Sequence, residues 1–216
     1  MEDFGYLALD IETTGRNHHK DKCFAFGYAH GTPTKLMGSG KYVLDLQKGD
    51  RTWKEVWTDN MFESRCYDEF WSEHTDILDS LQQSSPMSEK DMVAALNEVL
   101  YTMEKTYSTF TILFDTVCFD SVWLELLLTK YDYPGMLYFR NGKYHFNSSY
   151  DIDSYIKGLS GTLIHYGRDD IRKRKNMFLG DYVPMEGAHD PENDAIDIYN
   201  KFMYMHKRFE LLKYCE

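Results

Sequence analysis

The sequence predicts an α/β fold in which helices flank a mixed central sheet. Three observations carry that reading. Residues 4–12 alternate, with Leu7, Leu9 and Ile11 on one face, as a strand does. Two later segments repeat apolar residues at helical spacing behind strong N-terminal signals. The elements also run strands first, then helix, strand, helix and a closing helix, the order of an α/β sandwich with a mixed sheet.

Taken in order, residues 24–30 and 41–46 read as further strands, separated by a turn region containing Gly and Pro. Together with the first strand they form a meander ending near Trp57. Residues 67–81 turn helical, offering Phe70, Trp71, Ile77, Leu78 and Leu81 as a buried stripe. Ser88 is an N-cap, and Met92, Leu96, Val99, Leu100 and Met103 follow at helical spacing. Residues 109–114 form a buried strand, and Asp120 opens the next helix. Asn141-Gly142 is a strong turn dipeptide for a hairpin over 138–147. The last helix is capped by Asp190 with Pro191 at its first position. Ala195, Ile198, Tyr199, Phe202, Met205, Phe209 and Leu212 make its apolar face.

Composition narrows the function classes. The 216 residues fit one domain, 1–216, large enough for a single core. A hydrophobic fraction of 43% excludes wholesale disorder. No apolar run reaches membrane-spanning length and no secretory signal opens the chain. Cys23, Cys66, Cys118 and Cys215 are widely spaced, as free thiols of a reducing, cytoplasmic setting are. The net charge of −11, from 24 basic and 35 acidic residues, argues against coating long nucleic acid. It suits a small site where divalent metals carry the positive charge, and a short or terminal substrate.

Asp10 and Glu12 stand two apart on a strand, so both carboxylates project from one face. Adjacent like charges disturb each other's ionisation. A divalent cation with a taste for hard oxygen ligands, magnesium or manganese, resolves the conflict. Alone, the pair also reads as a solvated strand end. Asp120 alone reads as a helix cap, Asp194 as a first-turn acid facing the helix dipole, and His189 as an ordinary loop histidine.

Their surroundings change this. Leu9-Asp10-Ile11-Glu12-Thr13-Thr14-Gly15, Cys118-Phe119-Asp120-Ser121 and His189-Asp190-Pro191-Glu192-Asn193-Asp194-Ala195 stand in that order across residues 10–195. They resemble the three motifs of the DEDD exonuclease superfamily, the DnaQ-like and RNase T-like enzymes. The resemblance implies an RNase H-like (DnaQ-like exonuclease) fold and 3'–5' hydrolysis of phosphodiesters that releases nucleoside 5'-monophosphates. It implies two divalent cations, Mg2+ or Mn2+, in which Asp10 bridges both, Glu12 and Asp194 complete the first and Asp120 supports the second. His189 becomes the general base, which places the chain in the His (DEDDh) subclass. An unperturbed His, with a pKa of ~6.5, accepts a proton near neutrality. The implied partners are 3' ends of single-stranded RNA or DNA, bound by Thr13, Thr14 and Phe119. Many relatives are homodimers, which nothing in the sequence specifies. Two other readings stay open: an RNA-trimming or oligoribonuclease-type specialist, and a nucleic-acid-binding module that has lost catalysis.

One stretch departs from the pattern. Many relatives carry His-Asn ahead of the Phe-Asp pair, where this chain has Phe114-Asp115-Thr116-Val117-Cys118; Asp115 then falls to substrate or ligand support. Residues 65–74 look similar to an Arg-then-paired-aromatic element of the phage exonuclease A and mycobacterial exoribonuclease-like branch. There Phe70 and Trp71 stack on a terminal base or, alternatively, fill a helix core. A basic patch including Arg172 and Arg174 grips phosphates or forms a solvated loop. Asp151 and Asp153 read as a helix cap, and His18-His19 as solvated surface.

Overall fold

A computed structural model of the protein describes residues 2–136, 139–140, 143–144, 149–152, 154 and 182–213. Its frame is a mixed five-stranded sheet in the order β3-β2-β1-β4-β7. The strands are β1 (Glu2–Thr13), β2 (Cys23–Thr32), β3 (Lys35–Val43), β4 (Tyr107–Phe114) and β7 (Ser149–Asp151). β1–β2 and β2–β3 are antiparallel, whereas β1–β4 and β4–β7 are parallel. The hairpin expected over 138–147 is present as the antiparallel pair β5 (Phe139–Arg140) and β6 (Lys143–Tyr144); its Asn141-Gly142 turn lies outside the described residues.

β2 explains how the two faces of this sheet come to differ. Its residues alternate between aromatic and small, reading Phe24-Ala25-Phe26-Gly27-Tyr28-Ala29-His30-Gly31. Strand geometry sends the two sets to opposite faces. Phe24 and Phe26 join Leu7, Leu9 and Ile11 in a large core with Trp53, Trp57, Trp71 and the apolar residues of the helices on that side. Those helices are α1 (Trp53–Asp59), α2 (Ser64–Glu69), α3 (Thr75–Gln83), α4 (Glu89–Thr106) and α5 (Val117–Lys130). The small face, with Tyr6 and Ala8 of β1 and Ala29 of β2, lies under one long helix, α6 (Pro191–Lys213), through Ala195, Ile198, Tyr199 and Phe202.

The smallness is a steric need. A Cβ on Gly27 would come within 1.8 Å of the Pro191 carbonyl oxygen, and one on Gly31 within 2.6 Å of the Tyr199 hydroxyl. Only glycine lets the backbone of α6 settle this close to a strand. Ser39 on β3 donates to Glu192 at 2.7 Å, and Lys41 pairs with Asp190. The start of α6 is therefore held by both β2 and β3.

Several expected boundaries move. β3 begins at Lys35, not near residue 41, so only a tight turn separates it from β2. Its Gly38 and Gly40 read as loop, yet they are strand positions over which the rings of His30 and Tyr28 lie. The meander does not extend to Trp57, because Thr52 and Glu55 form a reciprocal capping box that starts α1. The single helix expected over 67–81 is α2, a 3-10 turn (Trp71–Glu73) and α3. The chain breaks at Phe70 so that Trp71 turns inward, and its indole N–H donates to the Thr13 carbonyl at 3.1 Å. α5 begins at Val117, so Asp120 sits in its first turn instead of opening it. Asp151 does cap, accepting from the amides of Val117 and Ser154. Among the described residues Cys23, Cys66 and Cys118 are free thiols, and no helix is long and apolar enough to cross a membrane.

Candidate active site

Along β1 the residues facing α6 run Tyr6, Ala8, Asp10, Glu12. The first two are apolar and buried under the helix; the last two carry carboxylates onto the same face at the start of α6, since Asp10 pairs with Gly27, which lies against Pro191. Because β1 and β4 are parallel, their C-terminal ends open at one edge, the usual place for a site in an α/β sheet. α5 follows β4 directly, so its first turn delivers Asp120 to that edge. Asp120 is 6% exposed.

The electrostatics follow from this crowding. Burial is the main force holding Asp10 well above the ordinary carboxyl range, and the charges of Glu12, Asp120, Asp194 and Asp115 push it further. Glu12 is raised first by burial and then by Asp194, Asp120 and Asp190. Burial lifts Asp120 to about 7 against opposing backbone hydrogen bonds, with Asp115 adding to the rise. Burial likewise lifts Asp194 to about 6, opposed by its bond from His189.

α6 supplies the other wall. Asp190 caps it by accepting from the Glu192 amide at 3.1 Å, as the sequence predicts. Asp194 stands in the first turn and accepts from the His189 backbone amide at 2.8 Å. His189 lies outside the helix but is not loose, since that bond fastens it. Its backbone is left-handed, φ 68°, an uncommon setting for a residue other than glycine and one concentrated at functional sites. Three residues beyond Asp194, buried Asp197 accepts from the Tyr182 hydroxyl at 2.6 Å and the Met185 amide at 3.1 Å, and it pairs with Lys201 at 2.6 Å. The approach to His189 is thereby tied to the same helix.

The result is a convergence. Potential ligand atoms of Glu12, His189 and Asp194 all lie within 4.8 Å of one another. Asp10 and Asp120 adjoin them electrostatically. Phe70 stands edge-on to the His189 ring at 4.6 Å, and the His74 ring is 5.0 Å from it. Burial, and then His74, hold His189 below its ordinary value, so it is neutral and able to accept a proton near pH 7. A set of hard oxygen donors with excess negative charge in a buried setting fits divalent cations.

Other expected contacts divide. Thr14 is buried; its hydroxyl accepts from the Lys22 amide at 2.8 Å and its carbonyl from Trp57 at 3.2 Å. The Thr13 carbonyl accepts from Trp71, so the chain leaving β1 is rigidly held. Trp71, 1% exposed, takes the core alternative of its two sequence readings and is not placed to stack on a base. Phe70 is half-buried at the site. Phe119 is half-buried, with its ring 6.4 Å from that of Trp123. Asp115 acts through charge on Asp10 and Asp120. Arg172, Arg174 and Asp153 lie outside the described residues. Gly27, Ser39, Lys41, His74 and Asp197 escape the sequence reading; the alternation of small and aromatic residues in β2 was the available signal for the first.

Strand order, pairing directions and the place of α6 define an α/β RNase H-like fold. Solved structures share it. A product-bound exonuclease I matches over 99% of this chain and 46% of its own, with TM-score 0.61 and 14% identity. The cell-death related nuclease CRN-4 matches over 96% of this chain and 66% of its own, with TM-score 0.59 and 14% identity. A zinc-bound E. coli exonuclease I–ssDNA complex matches over 95% and 40%, with TM-score 0.56 and 13% identity. This chain spans less than half the length of these exonuclease I structures. No protein-family model and no curated protein matches it.

Proposed function

We propose that this protein is a metal-dependent 3'–5' exonuclease acting on single-stranded or 3'-overhanging nucleic acid. The observation that carries the reading is the meeting of Glu12, Asp194 and His189 beside Asp10 and Asp120, at the edge where β1 and β4 end. Asp10, Glu12, Asp120 and Asp194 would hold two magnesium or manganese ions, which would supply positive charge at the phosphate and favour deprotonation of an attacking water. His189 takes the proton from that water as its oxygen bonds to phosphorus. The bond from phosphorus to the 3' oxygen breaks, the leaving oxygen gains a proton, and a nucleoside 5'-monophosphate departs. Asp194 orients His189 through its backbone amide, and Phe70 confines the ring. The three ordered motifs and the fold shared with exonuclease I and CRN-4 support the same reading.

The test uses 5'-labelled single-stranded RNA and DNA of matched sequence, with magnesium or manganese, and an Asp10→Ala control. A descending ladder that needs both metal and Asp10 is the expected result, and the faster substrate names the sugar preference. Full activity in Asp10→Ala overturns the metal assignment. Binding without cleavage at any metal concentration leaves a binding module instead.

A further inference from the structure

Where the chain leaves β1 lies an open cleft of about 730 Å3. This is within the roughly 300–1,000 Å3 of ligand-binding clefts. One wall is the loop after Gly15, whose residues 16–22 read Arg-Asn-His-His-Lys-Asp-Lys, a basic run in an acidic chain. The opposite wall is the corner after α1, with Met61 and Phe62. Gly15 is three residues past Glu12, about 10 Å along an extended chain.

The charges in this cleft are sorted. Asp21 is buried and accepts from the amides of Asn17 and Glu63, both at 2.8 Å; Glu63 in turn accepts from the Arg16 amide at 2.8 Å. The acids thus hold the backbone of the loop, while Arg16, His18 and Lys20 are exposed. Lys22 is engaged by Glu89, but neither Arg16 nor Lys20 joins an ion pair among the described residues. His18 braces the loop against Trp123 of α5, ring centroids 4.5 Å apart. Across the cleft, Met61 is 81% exposed on a left-handed backbone, φ 54°. That conformation closes α1, the Met61 and Phe62 amides donating to the carbonyls of Thr58 at 3.1 Å and Trp57 at 3.0 Å, and it sets Met61 at the rim of the cleft.

We propose that this cleft receives the single strand upstream of the cleaved bond, Arg16 and Lys20 neutralising its phosphates while Met61 and Phe62 face its bases. The proposal rests on the nuclease reading for where the 3' end lies. It gives the protein a local cationic path that its net charge conceals.

Fluorescence anisotropy with a 5'-fluorescein oligothymidylate of about ten nucleotides tests it. Calcium replaces magnesium, and electrophoresis verifies that the strand stays intact. Wild type is compared with Arg16→Ala/Lys20→Ala and with Lys90→Ala/Lys105→Ala, which removes equal charge from α4 outside the cleft. The cleft pair weakens affinity about tenfold and lowers the slope of log K against log salt by about 1.4, the counterion release of two single-strand phosphates. The α4 pair has a much smaller effect. Equal effects from the two pairs, or no binding by wild type, overturn the proposal. Cleavage assays in magnesium separate it from the nuclease reading. There the cleft pair loses several times more kcat/KM on the oligonucleotide than on the p-nitrophenyl ester of thymidine 5'-monophosphate, which reaches only the site of chemistry. Wild type that binds through the cleft yet cuts neither substrate sinks the nuclease reading alone. Cleavage that ignores the cleft pair sinks the cleft alone.

Discussion

The two faces of the sheet are built to opposite rules. On one, Phe24, Phe26 and Tyr28 project from β2 into a broad core ringed by Trp53, Trp57 and Trp71. On the other, Ala29 and the two glycines leave room for a single helix pressed against the strand. The first face buries large rings and supplies most of the apolar stabilisation. The second gives up that burial so that α6 can bring Asp194 and His189 to Asp10 and Glu12. Stability and chemistry are thus separated by a strand's thickness, and substitutions on the two faces should fail in different ways.

Phe24→Ala tests the contrast most severely. Its ring packs 5.2 Å from Trp71 and 6.5 Å from Trp57 by centroid. Truncation should cost about 3–5 kcal/mol in denaturant unfolding, while the folded fraction keeps its turnover. Gly27→Val is the mirror case. Its side chain meets the Pro191 backbone, α6 must shift, and a displacement of about 1 Å should cost roughly a hundredfold in rate. Unfolding free energy should change by only about 1–3 kcal/mol. Equal losses of rate and stability in both variants would erase the distinction.

Proton linkage sharpens it further. In metal-free protein Asp120 titrates at about 7 and Asp194 at about 6, against ~3.9 for an unfolded Asp. The folded chain therefore binds protons that the unfolded chain has lost. The stability these groups contribute is greatest below pH ~4 and falls as pH rises from ~4 through 6 to 7. Glu89 behaves oppositely: burial raises it, but bonds from Lys130, Lys22 and Tyr131 overcome this and hold it at about 2. Its contribution is present above pH ~4.5 and is lost as pH falls toward 2. Tm in EDTA should thus fall between pH 5 and pH 7, and saturating magnesium or manganese should remove most of that fall. A flat metal-free profile would contradict the crowded carboxylates. The smallest effect belongs to Ser88→Ala, which removes the cap on the Asp91 amide of α4, far from the chemistry. About 1 kcal/mol of stability should go with turnover unchanged.

What the sequence discloses follows from how local each determinant is. The carboxylate pair is legible because strand parity alone puts Asp10 and Glu12 together, and the start of α6 because Asp190-Pro191 is a local signal. α4 is legible through Ser88. β3 is hidden because Gly38 and Gly40 weaken strand propensity, and the reason for them, rings reaching across from β2, is a tertiary one. The break at Phe70 depends on Trp71 finding the Thr13 carbonyl, which no periodicity reports. Lys41 and Ser39 act on α6 across about 150 residues of chain, so only the folded sheet reveals them.

The parity of β1 has one more consequence. Sliding this strand by a single residue against β2 would turn Leu9 and Ile11 toward α6 and drive both acids into the aromatic core. A misthreaded chain would then lack the candidate metal site altogether, beyond any weakening of it. On the proposed reading, catalytic competence is in effect an inspection certificate for the fold: a chain that has not folded correctly is disarmed.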